Sequence, residues 1–501
     1  MYVSNIFTYH PVTVADCCDI GRRVTIDMLP DVALLEIFDC YVEVAREEEI
    51  EEYKLYRRLK IQGWHTLVHV CRKWRIIVLG SPRRLGLRLL CREKTPVKET
   101  LSVWPPLPIV IKQFYPTQME NIILALEHNE RICKIDLIEV TNSQQEEVLA
   151  AMQQPFPALT KLRIWLYQEG MPTVIPESFL GGSAPRLQYL ELEHIQFPGL
   201  PNLLLSAPDL VDLHITRIPH SGYISPEVMV HCLSTLTRLE GLSLVFESPK
   251  SRPVWKTRRP YPPKRSTLLT LTYFRFGGVS EYLEDLVARI NAPLLDNFNV
   301  TFFHQLIFNT PQLAQFFART PNFQSLVGAD IAFVFFEGHV LVKSPETYPY
   351  PYPRGFQLKI SCKQSDWQLS SLAQVCSSSF PHVLIRMVEH LHISQAKYKG
   401  PRRWQDDIEG SQWLEALRPF TGLKDLYVSR EFLPRIAPAF QELAGEPVTE
   451  VLPALQSLFL EKVNPSGPVR EATKKLVVAR HLAGHPITVS HWDRKQDLMY
   501  P

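Results

Sequence analysis

The chain has 501 residues, 45% of them hydrophobic, with 54 Lys plus Arg against 52 Asp plus Glu. That length exceeds one comfortable core and points to two domains, or to a small module followed by an elongated array. A formal charge of +2 lacks the basic excess of proteins that grip phosphate backbones, so no nucleic-acid partner is expected.

No apolar run approaches the ~18 residues that span a bilayer, and the first 25 residues lack a basic start followed by an apolar stretch. Nine cysteines, an odd number without a CxxC pair, read as free thiols in a reducing compartment. The expectation is an intracellular protein, cytoplasmic or nuclear, that uses no membrane.

Residues 1–24 read as an N-terminal tail. A helical module follows over 25–90. Within IDMLPDVALLEIFDCYVE (26–43), Leu29-Pro30-Asp31 is a helix-start signal, because proline tolerates the first turn and an early carboxylate suits the positive end of the helix dipole. Leu34, Leu35, Ile37, Phe38 and Tyr41 then form an apolar stripe at helical spacing. The acidic-then-basic stretch 44–60 reads as an exposed helical insertion with i,i+4 pairs. Trp64, Leu67, Val70, Cys71 and Trp74 recur at three- and four-residue steps and predict one further amphipathic helix, stopped at Gly80-Ser81-Pro82. A unit this small has little capacity to bury such apolar faces alone, and exposed apolar helix surface marks a partner interface.

LPDxxLLxIF followed by LxxVCRKWR resembles the F-box, with the gap between its halves lengthened by residues 44–60. SPRRLGLRL and ETLSVWPPLPIVI (99–111) resemble the region after the F-box in many basidiomycete fungal members. The resemblance implies that this face docks the Skp-type adaptor of SCF ubiquitin ligases, which a cullin holds in turn. It places Leu29, Pro30, Leu34, Ile37, Phe38, Leu67, Val70, Cys71 and Trp74 on the adaptor-binding face. The alternative is a helical cap packed on the repeats.

After a connector at 91–130, one phrase returns over 131–480: apolar, two variable, apolar, one variable, apolar. Copies include ICKIDL (132–137), LTKLRI (159–164), LQYLEL (187–192), LVDLHI (210–215), LEGLSL (239–244), LTYFRF (271–276), LDNFNV (295–300), FQSL (323–326), VEHLHI (388–393), LKDLYV (423–428) and LQSLFL (455–460). Taking the fourth position as anchor, the steps are 27, 28, 23, 29, 32, 24, 28, 65, 35 and 32, and Leu358 in QLKIS splits the long one. That period with LxxLxL is the mark of leucine-rich repeats. Each phrase predicts a strand, and each crossover a parallel neighbour. The expected fold class is therefore α+β overall: an all-α F-box-like module, then an α/β leucine-rich-repeat-like solenoid with a parallel sheet on its concave face. Unrelated βα units in one compact domain are the alternative. Residues 481–501 read as a C-terminal tail.

Residues alternate across a strand, so those beside the anchors point outward. Arg163, Trp165, Glu191, Glu193, His214, Thr216, Ser243, Arg275, Asn299, His392, Tyr427 and Phe459 form the expected target-binding face. Its mixed chemistry suits a protein ligand. Proline- and charge-rich segments at 248–265, 344–355 and 397–411 read as loops. His65 and His69 sit four apart on one helical face near Cys71, but no glutamate follows His65 as in a zinc hydrolase, and His390 and His392 would only share one side of a strand, so no metal or cofactor is expected. GxxxxGK[ST], GxGxxG and GxSxG are absent from the sequence and no nucleophile–base pair is assignable, so no catalytic residue is expected. The function implied is that of a non-catalytic substrate receptor for an unidentified protein target. A repeat scaffold acting outside a ubiquitin ligase is the alternative.

Overall fold

A computed structural model of the protein describes residues 26–52, 63–92, 94–113, 119–140, 142–166, 173–253, 264–303, 308–326, 330–336, 339–343, 355–361, 367–378, 380, 385–395, 410–445, 449–461 and 467–492. The tail 1–24 lies outside these residues, as does most of each expected loop. The chain divides into two compact units, residues 1–89 with 103–107, and residues 90–102 with 108–501.

In the first unit, helix α1 (Asp31–Glu52) starts behind Pro30 and runs without a break into the expected insertion. Residues 53–62 lie outside the described ones. The expected single helix over Trp64–Trp74 is in fact two, α2 (Gly63–Val68) and α3 (Arg72–Gly80). A tight turn closes α2, with the Val70 N–H on the Leu67 carbonyl at 3.3 Å. Cys71 is extended (φ −156°, ψ 171°), and its Sγ accepts the Trp74 N–H at 3.5 Å, capping α3. The restart turns Ile77 and Val78 into the core and leaves Val70 in solvent. Lys73 Nζ donates to the Leu29 carbonyl at 3.1 Å and lies 3.6 Å from Asp31, tying α3 to the start of α1.

The second unit is built on one large sheet. Its strands are β1 (Ile109–Gln113), β2 (Ile132–Val140), β3 (Lys161–Leu166), β4 (Tyr189–Glu193), β5 (Asp212–Ile218), β6 (Gly241–Phe246), β7 (Tyr273–Gly278), β8 (Asn297–Phe302), β9 (Asp330–Phe336), β10 (His339–Lys343), β11 (Gly355–Ser361), β12 (His390–Gln395), β13 (Asp425–Val428), β14 (Ser457–Glu461) and β15 (Thr488–Trp492). Neighbours follow chain order from β1 to β8, then run β11, β10, β9, then β12 to β15. A short strand, Leu89–Cys91, precedes β1 at the edge of the sheet, which thus begins where the expected connector does and ends inside the expected tail.

The anchors fall in register. Ile111, Ile135, Leu162, Leu190, Leu213, Leu242, Phe274, Phe298 and Phe356 are Cα partners in sequence across nine strands, and all are buried. Each such side chain contributes about 1.5–3 kcal/mol by leaving water. At β7 the column changes from aliphatic to aromatic: Phe274 stacks on Phe298 at 5.2 Å. Beyond the central strands, Ile331, Leu391, Leu426, Leu458 and Val489 continue it.

Three expectations need correction. FQSL is not a strand but the end of the helix Pro321–Leu326, in which buried Phe323 packs 6.1 Å from Phe298. Proline fits a first helical turn, and it precedes this phrase. In β11 the residue in the anchor column is Phe356, not Leu358, which pairs two residues further on with Val300. The sheet is also not parallel throughout. The 65-residue step holds an antiparallel meander, with β9 against β10 and β10 against β11, while β9 and β11 run parallel to β12 and β8.

Helices alternate with the strands and are latched to one another by polar contacts. Arg289 on the helix Ser280–Arg289 pairs with Glu227 on Pro226–Thr235 at 2.9 Å. Glu284, also buried, reaches the N-terminus of Pro311–Arg319. Arg480, buried on Pro468–Leu482, donates to the Val451 carbonyl at 3.2 Å.

Candidate functional site: a row of side chains across the sheet

One residue beyond each anchor lies a second register row. It runs Lys112, Asp136, Arg163, Glu191, His214, Ser243, Arg275, Asn299, Gln357, then crosses the meander through Lys343 to Ala332, and ends His392, Tyr427, Phe459, Ser490. Nine of the twelve residues expected on the target face stand in it: Arg163, Glu191, His214, Ser243, Arg275, Asn299, His392, Tyr427 and Phe459. Trp165, Glu193 and Thr216 stand two positions further along their strands, and Glu193 pairs with Trp165 and Thr216 in register. Most of the row is half-buried, Arg275 is exposed, and Ser243 is covered, at 1% exposure.

At one end the row is a closed charge network. Arg163 Nε lies 2.8 Å from Glu191 and Nη1 lies 3.8 Å from buried Asp136. The guanidinium sits 4.3 Å over the Trp165 ring, and Trp165 Nε1 donates to Glu191 at 3.0 Å. The Tyr189 hydroxyl donates to the same carboxylate, while Lys161 Nζ lies 4.3 Å over the Tyr189 ring. Burial and this bond to Glu191 raise the Tyr189 pKa. Burial lowers that of Lys161, with Asp136 and Glu191 opposing it. Arg217 and Glu193 pair at 3.5 Å, and His214 lies 3.9 Å from Asp212. These side chains spend their hydrogen-bonding capacity on one another, so they shape the surface more than they offer free groups. Tyr189, Lys161 and Asp136 were not among the residues expected there. Tyr189 and Lys161 lie two positions before Glu191 and Arg163, a spacing the strand period itself supplies.

The other end is an aromatic ladder. His392 stacks on Tyr427 with centroids 4.2 Å apart, and Tyr427 on Phe459 at 4.4 Å and 6°. Trp492, within the expected C-terminal tail, meets Tyr427 edge-on at 5.5 Å, and its Nε1–H donates to the Val428 carbonyl at 3.4 Å. Burial, and then the charge of nearby His390, lower the His392 pKa to about 4. His390 lies 2.8 Å from Asp425.

In the module, the nine residues expected to face an adaptor separate into three sets. Leu34, Phe38 and Leu67 are buried inside the module, Phe38 packing 4.7 Å from the Trp74 ring. Pro30, Ile37 and Val70 are exposed, and Leu29, Cys71 and Trp74 are half-buried. Val32, Tyr41 and Ile76, absent from the expected set, are exposed apolar residues as well. Burial, and then His69, lower the His65 pKa to about 4. His65 packs instead against Trp64 and Trp104.

Among the described residues no group of three or more His, Cys, Asp and Glu is placed to hold a metal ion, and no helix is long and apolar enough to cross a membrane. No family model matches the chain, and no curated protein matches it. Among solved structures, the leucine-rich repeat-containing protein LegL7 from Legionella pneumophila aligns over 78% of this chain and 97% of its own, at 13% identity and a TM-score of 0.26. A likeness that weak carries no argument about function. The fold itself, a large and mainly parallel sheet with alternating helices, is that of an α/β repeat protein.

Proposed function

We propose that this chain is a non-catalytic adaptor: the face of the repeat sheet holds a protein target, and the N-terminal module docks a Skp-type adaptor and, through it, the cullin of an SCF-type ubiquitin ligase. The supporting observation is the partition inside the module. Leu34, Phe38 and Leu67 fill its core, while Pro30, Ile37 and Val70, from the two halves of the F-box-like motif, stand in solvent. Exposed apolar side chains on a folded helical unit mark a partner surface. The repeat sheet adds a continuous row of half-exposed side chains of mixed polar and aromatic chemistry, the composition of protein-binding faces. Ubiquitin transfer then belongs to partner subunits, and the gain from this chain is proximity. The setting is intracellular, with no nucleic acid, membrane or cofactor involved.

The test is co-expression of the full chain with a Skp-type adaptor and size-exclusion chromatography. Wild type co-elutes with the adaptor, and Ile37→Asp with Val70→Asp does not, while circular dichroism stays unchanged. A chain that ignores the adaptor leaves the second reading, a repeat scaffold outside any ligase. That reading draws on the same burial of Leu34, Phe38 and Leu67, which gives the module a filled core of its own.

A further inference from the structure

Strands β6, β7, β8 and β11 are consecutive neighbours at the centre of the sheet. Their outward positions, taken in register, carry two cations, Arg275 and Lys359, and no carboxylate. Upstream the pattern differs: Arg163 has Glu191, and Arg217 has Glu193. Among the described residues neither Arg275 nor Lys359 forms an ion pair. Burial, and then the positive charge of Arg275, lower the Lys359 pKa, so the two cations sense each other without an anion between them.

We infer that this central basin binds an acidic segment of the protein target, with Arg275 and Lys359 each taking one carboxylate. The floor between the cations is low. Gly277 pairs with Thr301, and Thr301 with Lys359. A Cβ on Gly277 would come within 2.8 Å of Val245 Cγ1, so the position is held open by the absence of a side chain. A second observation points to a ligand. Ser243, in register beside Arg275, is 1% exposed and its hydroxyl has no hydrogen-bond partner. Buried hydroxyls are normally satisfied, and a carboxylate drawn in by the Arg275 fork supplies the acceptor. Asn299 and Gln357, next along the same row, add amide donors.

Geometry favours two carboxylates over one phosphate. β7 and β11 are separated by β8, and Lys359 lies two residues further along than Arg275, so the two cations rise from backbone positions about 12 Å apart. Alternate residues of an extended peptide present side chains to one side about 7 Å apart, and the flexible Arg and Lys stems span the remainder. Charge complementarity of this kind sets specificity and association rate as much as affinity.

The inference rests on the reading of the sheet face as the target-holding surface and is independent of adaptor docking. The experiment uses the full chain and a fluorescein-labelled Ser octapeptide carrying two Glu separated by one residue, the diacid, followed by anisotropy at low and at 0.5 M salt. Binding at low salt that weakens at high salt is expected. Arg275→Gln and Lys359→Gln should each weaken it about tenfold, the equivalent of ~1.4 kcal/mol. Arg238→Gln removes the same charge from an exposed pair with Asp209 and should change affinity less than twofold. No binding by the wild type, or wild-type affinity in both Arg275→Gln and Lys359→Gln, overturns the basin. A singly phosphorylated Ser octapeptide lacking Glu that binds tighter than the diacid overturns the two-carboxylate occupant. A chain that binds the diacid yet ignores the Skp-type adaptor keeps the basin and removes the ligase reading.

Discussion

The carboxylate of Glu284 accepts the backbone N–H of Leu313 at 2.7 Å and that of Gln312 at 2.9 Å. One repeat thereby caps the helix of the next, a helix whose preceding residue, Thr310, makes no side-chain cap of its own. Glu284 is 5% exposed, so removing it strips two buried donors of a charged acceptor. Glu284→Ala should cost about 2 kcal/mol, and Glu284→Gln roughly half as much. Hydrogen exchange over 311–319 in the two variants measures this, and unchanged protection would remove the capping role.

Phe38 and Ile37 are adjacent on α1 and should behave oppositely. Phe38 is fully buried against Trp74, so Phe38→Ala should destabilise the module by about 3 kcal/mol or more. Ile37 is 45% exposed, and Ile37→Asp should shift stability by less than about 0.5 kcal/mol while abolishing adaptor binding. Urea melts read through tryptophan fluorescence, paired with pull-down, separate the two effects. Loss of stability in Ile37→Asp comparable to Phe38→Ala would contradict the partition.

Arg163 and Glu191 should be strongly coupled. Arg163→Met leaves Glu191 and buried Asp136 without their shared cation, a cost of about 3 kcal/mol, and the double variant with Glu191→Gln should recover a good part of it. A double-mutant cycle on denaturation midpoints gives the coupling. Simple additivity would mean that the guanidinium works mainly through its stacking on Trp165.

His392 should make stability fall with acid. Its folded pKa of about 4 lies below the usual imidazole value near 6.5. Between those values the unfolded chain binds the extra proton, so stability rises with pH across that window and is fully present above it. His392→Phe should flatten the slope between pH 4 and 6.5 and leave the melting temperature at pH 8 little changed. Thermal melts across that range test it. His390, beside it, pairs with Asp425 and is the other imidazole facing the ladder.

The repeat register was readable in the sequence because a buried strand face permits little besides Leu, Ile, Val and Phe. Leu162, Leu190, Leu213 and Leu242 are therefore both the sequence pattern and the core. Where the core turns aromatic the pattern loses its meaning. Phe323 fits an LxxL phrase as well as Leu does, yet serves from a helix, and nothing local separates those uses. The meander was hidden for another reason: strand direction is decided by pairing partners, and His339–Lys343 carries no mark of which way it runs. In the module, the apolar spacing from Trp64 to Trp74 was real, but the weak thiol cap at Cys71 that interrupts it leaves no hydrophobic trace. The outward row was legible as positions. That Arg163, Trp165 and Glu191 saturate each other, while Arg275 and Lys359 form no ion pair among the described residues, depends on which strands are neighbours.

The meander has a consequence for assembly. Elsewhere each strand pairs with one that left the nascent chain about thirty residues earlier, and a stack of that kind can grow one unit at a time. At the centre this rule fails twice: β8 must wait for β11, and β12 must find β9, each roughly twice as far along the chain. Long closures are entropically expensive and slow. The protein should therefore assemble as two independently growing blocks, β1–β8 and β12–β15, with the meander as the late weld between them.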